Sequence, residues 1–253
     1  MRTIIQQINY QDCQAIIILN HGKKNSITSE MVRELGDALE EIRADPNVTV
    51  LVLESLNEKF FSIGFDIPSL IELPPEEFQS FYSSFNHLCL KLYTFPKPTI
   101  SMIAGHAIAG GCILALCCDL RYMAEGRNLI GLNEVKLGVP VPYPADCILR
   151  DSIGSRLSRE IVESGLFYQP QDAYKLGLID KVFPEDEIRR EVDAQACDLG
   201  SMPPRAFWAI KKNRVERVES QILARLEEKE KLFVDLWYSE EARQRLKEAS
   251  EKF

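Results

Sequence analysis

The sequence predicts an α/β fold that ends in a helical C-terminal region, and three observations carry that prediction. Cys13 to Leu19, Ser29 to Arg43 and Val48 to Leu53 read in turn as strand, amphipathic helix and strand, the order of a crossover unit. The run VTVLVL at Val48 to Leu53 is continuously apolar, which marks a strand buried on both faces. From Pro184 onward the pattern has helical periodicity alone.

Taken in order, Ile4 to Tyr10 and Cys13 to Leu19 are β-rich runs parted only by Gln11 and Asp12, so the chain opens with a hairpin. The polar stretch Asn20 to Asn25 follows and carries Lys23 and Lys24. Thr28 is placed to cap the next helix, whose Met31, Leu35, Leu39 and Ile42 share one face. In FFSIGFDI, Phe60 to Ile67, a strand end breaks at Gly64, where the backbone can turn so that the Phe65 N–H faces outward. Asp66 reads as the cap of the turn after it. Pro74 to Tyr93 reads as helix, ended by Pro96 and Pro98.

Thr99 to Asp119 is the run around which the chain is organised: strand-like TISMIAG, then HAIAGG, then CILALCCD. An extended segment that breaks at Gly105, Gly110 and Gly111 and turns helical leaves backbone N–H groups unpaired at the helix start. Alone, a glycine pair serves close strand-to-helix packing. The second turning loop at Gly64 is what favours a binding role. Leu120 to Ala124 is another strand, and NLIGLNEVKLG (Asn128 to Gly138) sets Glu134 among apolar residues. VPVPYPA, Val139 to Ala145, carries three prolines and is not expected to be regular helix. Helices are predicted at Ser155 to Ser164 and Gln169 to Leu176, the second stopped by Gly177, and a strand at Ile179 to Phe183. Helices at Glu187 to Leu199, Arg205 to Val215, Ser220 to Tyr238 and Ser239 to Lys252 complete the chain; Ile222, Leu226, Phe233 and Trp237 form one stripe, to pack on this core or on a neighbouring subunit.

Composition excludes several classes of function. At 45% hydrophobic and 27% charged the chain is ordinary globular material, and a net charge of -8 argues against a nucleic-acid or anionic-membrane surface. Seven cysteines with no CxxC pair read as thiols of a reducing compartment, and His21, His87 and His106 are too widely spaced to suggest a metal site, so none is expected. His106 reads as structural, since nothing completes a triad with it. No apolar run approaches the roughly 20 residues of a membrane span, no signal or transit pattern follows Met1, and the last three residues are no peroxisomal address. Cytoplasm is therefore the expected location.

FSIGFD, GHAIAGGCILALCCD, GLNEVKLG and QPQDAYKLGLIDKV, in that order, resemble the crotonase, or enoyl-CoA hydratase/isomerase, family over essentially the whole chain. The resemblance implies a crotonase-like spiral of ββα units over residues 1–198 and a helical C-terminal oligomerisation region over 199–253, in a homotrimer or homohexamer. The ligand it implies is an acyl-CoA thioester, with no separate cofactor. It puts two oxyanion-hole donors on the Phe65 and Gly110 N–H groups and a catalytic carboxylate on Glu134. Ser62, Ile63, Asp66, Ile67 and Ile113 fall beside the substrate by the same resemblance, and Lys23, Lys24 and Lys252 fall towards its CoA portion.

Hydratases of the family carry a glutamate three residues after the oxyanion-hole glycine, and this chain has Ile113 there. GLNEVKLG is similar to the corresponding segment of Δ3,Δ2-enoyl-CoA isomerases. A single base that removes a proton at C2 and returns it at C4 suffices to move a double bond, whereas hydration uses two carboxylates. An isomerase is therefore the leading reading. The alternatives are a hydratase, or another crotonase-type reaction, with Tyr143 or Asp146 as second polar group, and a non-catalytic acyl-CoA-binding protein.

Overall fold

The computed structural model describes residues 2–251. In chain order the elements are β1 (Ile4–Asn9), β2 (Gln14–Leu19), α1 (Ser29–Ala44), β3 (Val50–Ser55), β4 (Phe60–Ser62), α2 (Ile67–Leu70), α3 (Pro75–Tyr93), β5 (Thr99–Ile103), β6 (His106–Ile108), α4 (Gly110–Leu116), β7 (Leu120–Ala124) and β8 (Ile130–Gly131). A 3-10 turn at Glu134–Leu137 follows, then α5 (Tyr143–Ser164), β9 (Phe167–Tyr168), α6 (Pro170–Lys175), β10 (Lys181–Phe183), α7 (Ile188–Gly200), α8 (Pro204–Trp237) and α9 (Glu240–Ser250).

The ββα repeat is visible in the pairing. One sheet runs β1-β2-β3-β5-β7-β10 and a second runs β4-β6-β8-β9. Each of the pairs β3/β4, β5/β6 and β7/β8 gives one strand to each sheet, and a helix follows each pair. Within the repeats the strands are parallel, while the opening hairpin β1/β2 is antiparallel. Strand β3 explains its own sequence: Leu51 and Leu53 enter the main core beneath α1 and α3, whereas Val50 and Val52 join a second core with Val192 and Ala196 of α7. Both faces are buried, so no polar alternation appears. At the start of α1 the Thr28 hydroxyl accepts from the Met31 N–H, as expected of an N-cap.

Two helical expectations are corrected. α5 begins at Tyr143, inside the proline-rich stretch expected to be irregular. Pro140 and Pro142 precede it, and Pro144 falls in its first turn, where the missing N–H has no intrahelical partner to lose. The break comes at Gly154, whose φ of 79° and ψ of 160° interrupt the helix just before Ser155. The helices expected at Arg205 to Val215 and Ser220 to Tyr238 are one helix, α8. Its charged ERVE segment contains neither glycine nor proline, and buried Val215, Val218 and Ile222 keep the stripe continuous.

That stripe packs on the chain's own core. Trp237 stacks on Phe78 of α3 with ring centroids 4.3 Å apart, and Phe233 stacks on Tyr82 at 3.9 Å. Lys211 of α8 is buried and anchors the helix through the Asp119 carboxylate at 2.7 Å. Of the seven cysteines, five are buried, Cys13 is half-buried and Cys197 is exposed; none is disulfide-bonded.

Candidate active site

The loops after β4 and β6 meet at their glycines. Gly64 has a φ of 88°, in the left-handed region that a side chain disfavours. A Cβ there would stand 2.8 Å from the Gly110 nitrogen and 3.0 Å from the Ile108 carbonyl oxygen. A Cβ on Gly110 would stand 3.1 Å from the Gly64 Cα. The two backbones are therefore in direct contact; the approach and the positive φ require glycine at 64, and a side chain at 110 would force its neighbours to shift. Between them, Ala109 takes a φ of 47° and a ψ of -118°, a strained conformation for a residue with a Cβ. Among the described residues, neither the Phe65 N–H nor the Gly110 N–H donates a hydrogen bond. Two neighbouring donors are thus left for a ligand atom.

Both loops border a cavity of about 600 Å³, whose opposite wall comes from the 3-10 turn and from α8 and α9. Glu134 opens the 3-10 turn and is 5% exposed. One of its carboxylate oxygens, Oε2, has no hydrogen-bond partner. Desolvation raises its pKa from an ordinary 4.5 to about 7, against a smaller opposing contribution from its own backbone N–H. Buried Ile113 lies on the same cavity, as does Asn133, whose side-chain Oδ1 is also buried without a hydrogen-bond partner. The second acidic residue on the lining, Glu248, is exposed and accepts from Gln244.

Of the residues expected from sequence, Lys24, Ile63, Phe65, Ile67, Gly110, Ile113 and Glu134 line this one cavity. Others are placed elsewhere. Lys23 is exposed, with its carbonyl accepting from the Asn57 amide. Ser62 is fully buried; its hydroxyl donates to the Asn25 carbonyl at 2.6 Å and accepts from the Gly64 N–H at 3.1 Å. Asp66 stands at the head of α2 and accepts from the Ser69 hydroxyl at 2.8 Å. Tyr143 lies under the Lys229 ammonium, 5.9 Å from its ring centroid, and Asp146 is paired with Arg150. None of these five is on the cavity wall. Lys252 lies outside the described residues. His106 has a structural contact, accepting the Leu129 N–H at 3.0 Å.

Sequence reasoning missed the far wall. Phe233 and Trp237 line the cavity as well as the core, and Phe167, Leu137 and Val139 join them. Helical spacing identifies the α8 stripe as buried and says nothing about which of its members face an opening. Lys136 and Arg245 stand on the lining too, the Arg245 guanidinium donating to the Lys136 carbonyl at 3.4 Å. No helix among the described residues is long and apolar enough to cross a membrane.

The enoyl-CoA hydratase/isomerase family model matches residues 10–253. The mouse (Mus musculus) protein named enoyl-CoA delta isomerase 1, mitochondrial, is 33% identical over 175 residues, covering 69% of this chain and 61% of that protein. Its Homo sapiens counterpart is 30% identical over 193 residues, covering 76% of this chain and 64% of its own length. The alignments thus span under two thirds of these two relatives. A putative enoyl-CoA hydratase of Thermus thermophilus is 34% identical over 194 residues, covering 75% of this chain and 76% of that one. Among solved structures, human mitochondrial delta3-delta2-enoyl-CoA isomerase superposes with a TM-score of 0.95 at 25% identity, covering 99% of this chain and 97% of that one. An enoyl-CoA hydratase from Bacillus halodurans shares the fold at a TM-score of 0.90 and 23% identity. With a matching model over nearly its whole length and two loops meeting at Gly64 and Gly110, the chain belongs to the enoyl-CoA hydratase/isomerase family.

Proposed function

We propose that the protein moves the double bond of an acyl-CoA thioester, converting a 3-enoyl-CoA to the conjugated 2-enoyl-CoA. The thioester oxygen sits between the Phe65 and Gly110 N–H groups, and Glu134 removes a proton from C2. The C–H electron pair forms a C1–C2 double bond and the carbonyl pair moves to oxygen, giving a dienolate. The proton then returns to C4, the carbonyl re-forms, and the double bond is left between C2 and C3. A fixed donor at such an oxyanion contributes roughly 3 kcal/mol, so two donors lower the cost of the dienolate substantially. A carboxyl with a pKa of about 7 suits both halves of the transfer, being half ionised near neutrality.

The observation that carries this reading is that, among the described residues, the cavity holds one buried carboxylate, with Ile113 on the wall where a hydratase of this family has a glutamate. Tyr143 and Asp146, the candidates for a second polar group, stand off the wall. Two relatives named as isomerases add support. The test is an assay of a 3-enoyl-CoA beside crotonyl-CoA. Conversion of the first by the wild type, lost in Glu134→Gln while CoA binding persists, is expected. Rapid hydration of crotonyl-CoA would replace this reading with the hydratase, and binding without turnover in either assay would replace it with a non-catalytic acyl-CoA-binding protein. The proposal extends to assembly as a homotrimer or homohexamer, supported by exposed Ile210, Leu223 and Leu232 on α8 and checked by light scattering.

A further inference from the structure

The orientation of the Phe65 N–H is set by the Gly64–Phe65 peptide, so whatever holds Gly64 aims the donor. Two bonds do so: the Gly64 carbonyl accepts from the Ile27 N–H at 2.7 Å, and the Gly64 N–H donates to the Ser62 hydroxyl at 3.1 Å. The Ser62 hydroxyl in turn donates to the Asn25 carbonyl at 2.6 Å. Asn25 is buried at a φ of 48°, a conformation asparagine tolerates better than most residues. Its side chain is fully committed: Oδ1 accepts from the His21 N–H at 2.6 Å, and Nδ2 donates to the Ser55 hydroxyl at 2.7 Å and to the Phe60 and Phe61 carbonyls, each at 3.2 Å. Ser62 also reaches the second donor loop, because its carbonyl oxygen would stand 2.2 Å from a Cβ on Gly111.

We propose that Asn25 and Ser62 form a positioning pair that registers the loops at 20–25, 62–66 and 109–111 and so aims the Phe65 N–H at the thioester oxygen. Neither side chain touches the cavity, so both act through the backbone they hold. The inference rests on the oxyanion-hole part of the proposed function and not on which reaction follows.

The test uses acetoacetyl-CoA, whose enolate absorbs in the near ultraviolet, so that its acidity when bound reports the oxyanion donors without turnover. In wild-type protein the bound ligand forms its enolate at a lower pH than the free ligand. In Ser62→Ala, a misaimed donor raises that pH by about one unit and lowers kcat for 3-hexenoyl-CoA roughly tenfold, with KM within about twofold. Ser62→Cys keeps a weak bridging group and shifts both values the same way by less. A purely structural role for Ser62 would lower the melting temperature and leave the bound enolate's acidity unchanged, and that result in folded Ser62→Ala overturns the proposal. Should Ser62→Ala fail to fold, an unchanged enolate titration in Ser62→Cys overturns it instead. A wild-type protein that does not favour the enolate removes the oxyanion hole and the pair together. A wild type that favours the enolate but does not isomerise removes only the reaction, and the variant titrations still decide the pair.

Discussion

Glu134 couples stability to the proposed chemistry, and replacing it with glutamine separates the two. Its carboxyl has a pKa of about 7 in the folded chain against an ordinary 4.5, because burial disfavours the charged form. A group whose folded pKa is raised contributes stability that is fully present below the unfolded pKa and is lost as pH rises through the folded one. Between pH 4.5 and 7 the unfolded chain gives up this proton while the folded chain keeps it. The gap corresponds to about 3 kcal/mol lost by pH 8. Glutamine carries no such term. Relative to wild type, Glu134→Gln should therefore gain about 3 kcal/mol between pH 4.5 and pH 8, or ~6–12 °C in melting temperature for a chain of this size. Any constant cost of burying the amide cancels in that difference. Thermal melts of both proteins across the pH range supply the measurement, and parallel curves would refute the argument from desolvation. In the same variant kcat should fall by about 10²–10⁴. Wild-type activity should rise about tenfold per pH unit below 7 and level above it, as the base form fills.

Three further outcomes follow from particular contacts. Gly111→Ala places a Cβ 2.2 Å from the Ser62 carbonyl oxygen, which is backbone and cannot swing aside, so a loss of about 1–3 kcal/mol in urea unfolding is expected together with reduced isomerisation. Lys211→Met leaves the Asp119 carboxylate with Arg214 and the two Thr99 donors, so a loss of about 1–3 kcal/mol is expected in urea unfolding, with kcat of the folded fraction unchanged. Trp237→Ala removes the ring stacked at 4.3 Å on Phe78 and should cost about 3–5 kcal/mol. Because Trp237 also lines the cavity, kcat/KM across a series of acyl chains should shift towards longer ones, and an unchanged chain-length profile would take the acyl group off that wall.

Much of the fold was legible because local signals agreed with tertiary ones. Thr28 caps α1 and its apolar face is the buried face; VTVLVL is buried on both sides; Gly64 and Gly110 sit at the turns expected of them. What stayed hidden depended on context. Three prolines in seven residues predict disorder of the helix pattern, yet a first-turn proline costs a helix nothing, and α5 starts there. The far wall of the cavity comes from α8 and α9, more than a hundred residues after the loops it faces, and no spacing rule links Trp237 to Phe65. Ser62 misled in the opposite direction: it lies in the motif that forms the site, but the strand pleat turns its hydroxyl inward onto Asn25.

The site gathers features that each raise the free energy of the folded chain. Glu134 is buried with one oxygen unpartnered, two backbone donors lack acceptors, and Ala109 holds a φ that its Cβ opposes. The first two would be relieved by a small local change, a carboxyl turned to water or a rotated peptide. The surrounding structure opposes both. Gly64 and Gly110 touch, so neither peptide can rotate alone; the Ser62 hydroxyl fixes Gly64; and the 3-10 turn holds Glu134 buried with Oε2 unpartnered. Those constraints are supplied by the packing of the sheets and of the α3–α8 aromatic stack. A ligand that develops negative charge on one oxygen and gives up a proton nearby relieves the unpaired donors and uses the raised pKa together, which is why the uphill features belong to one cavity.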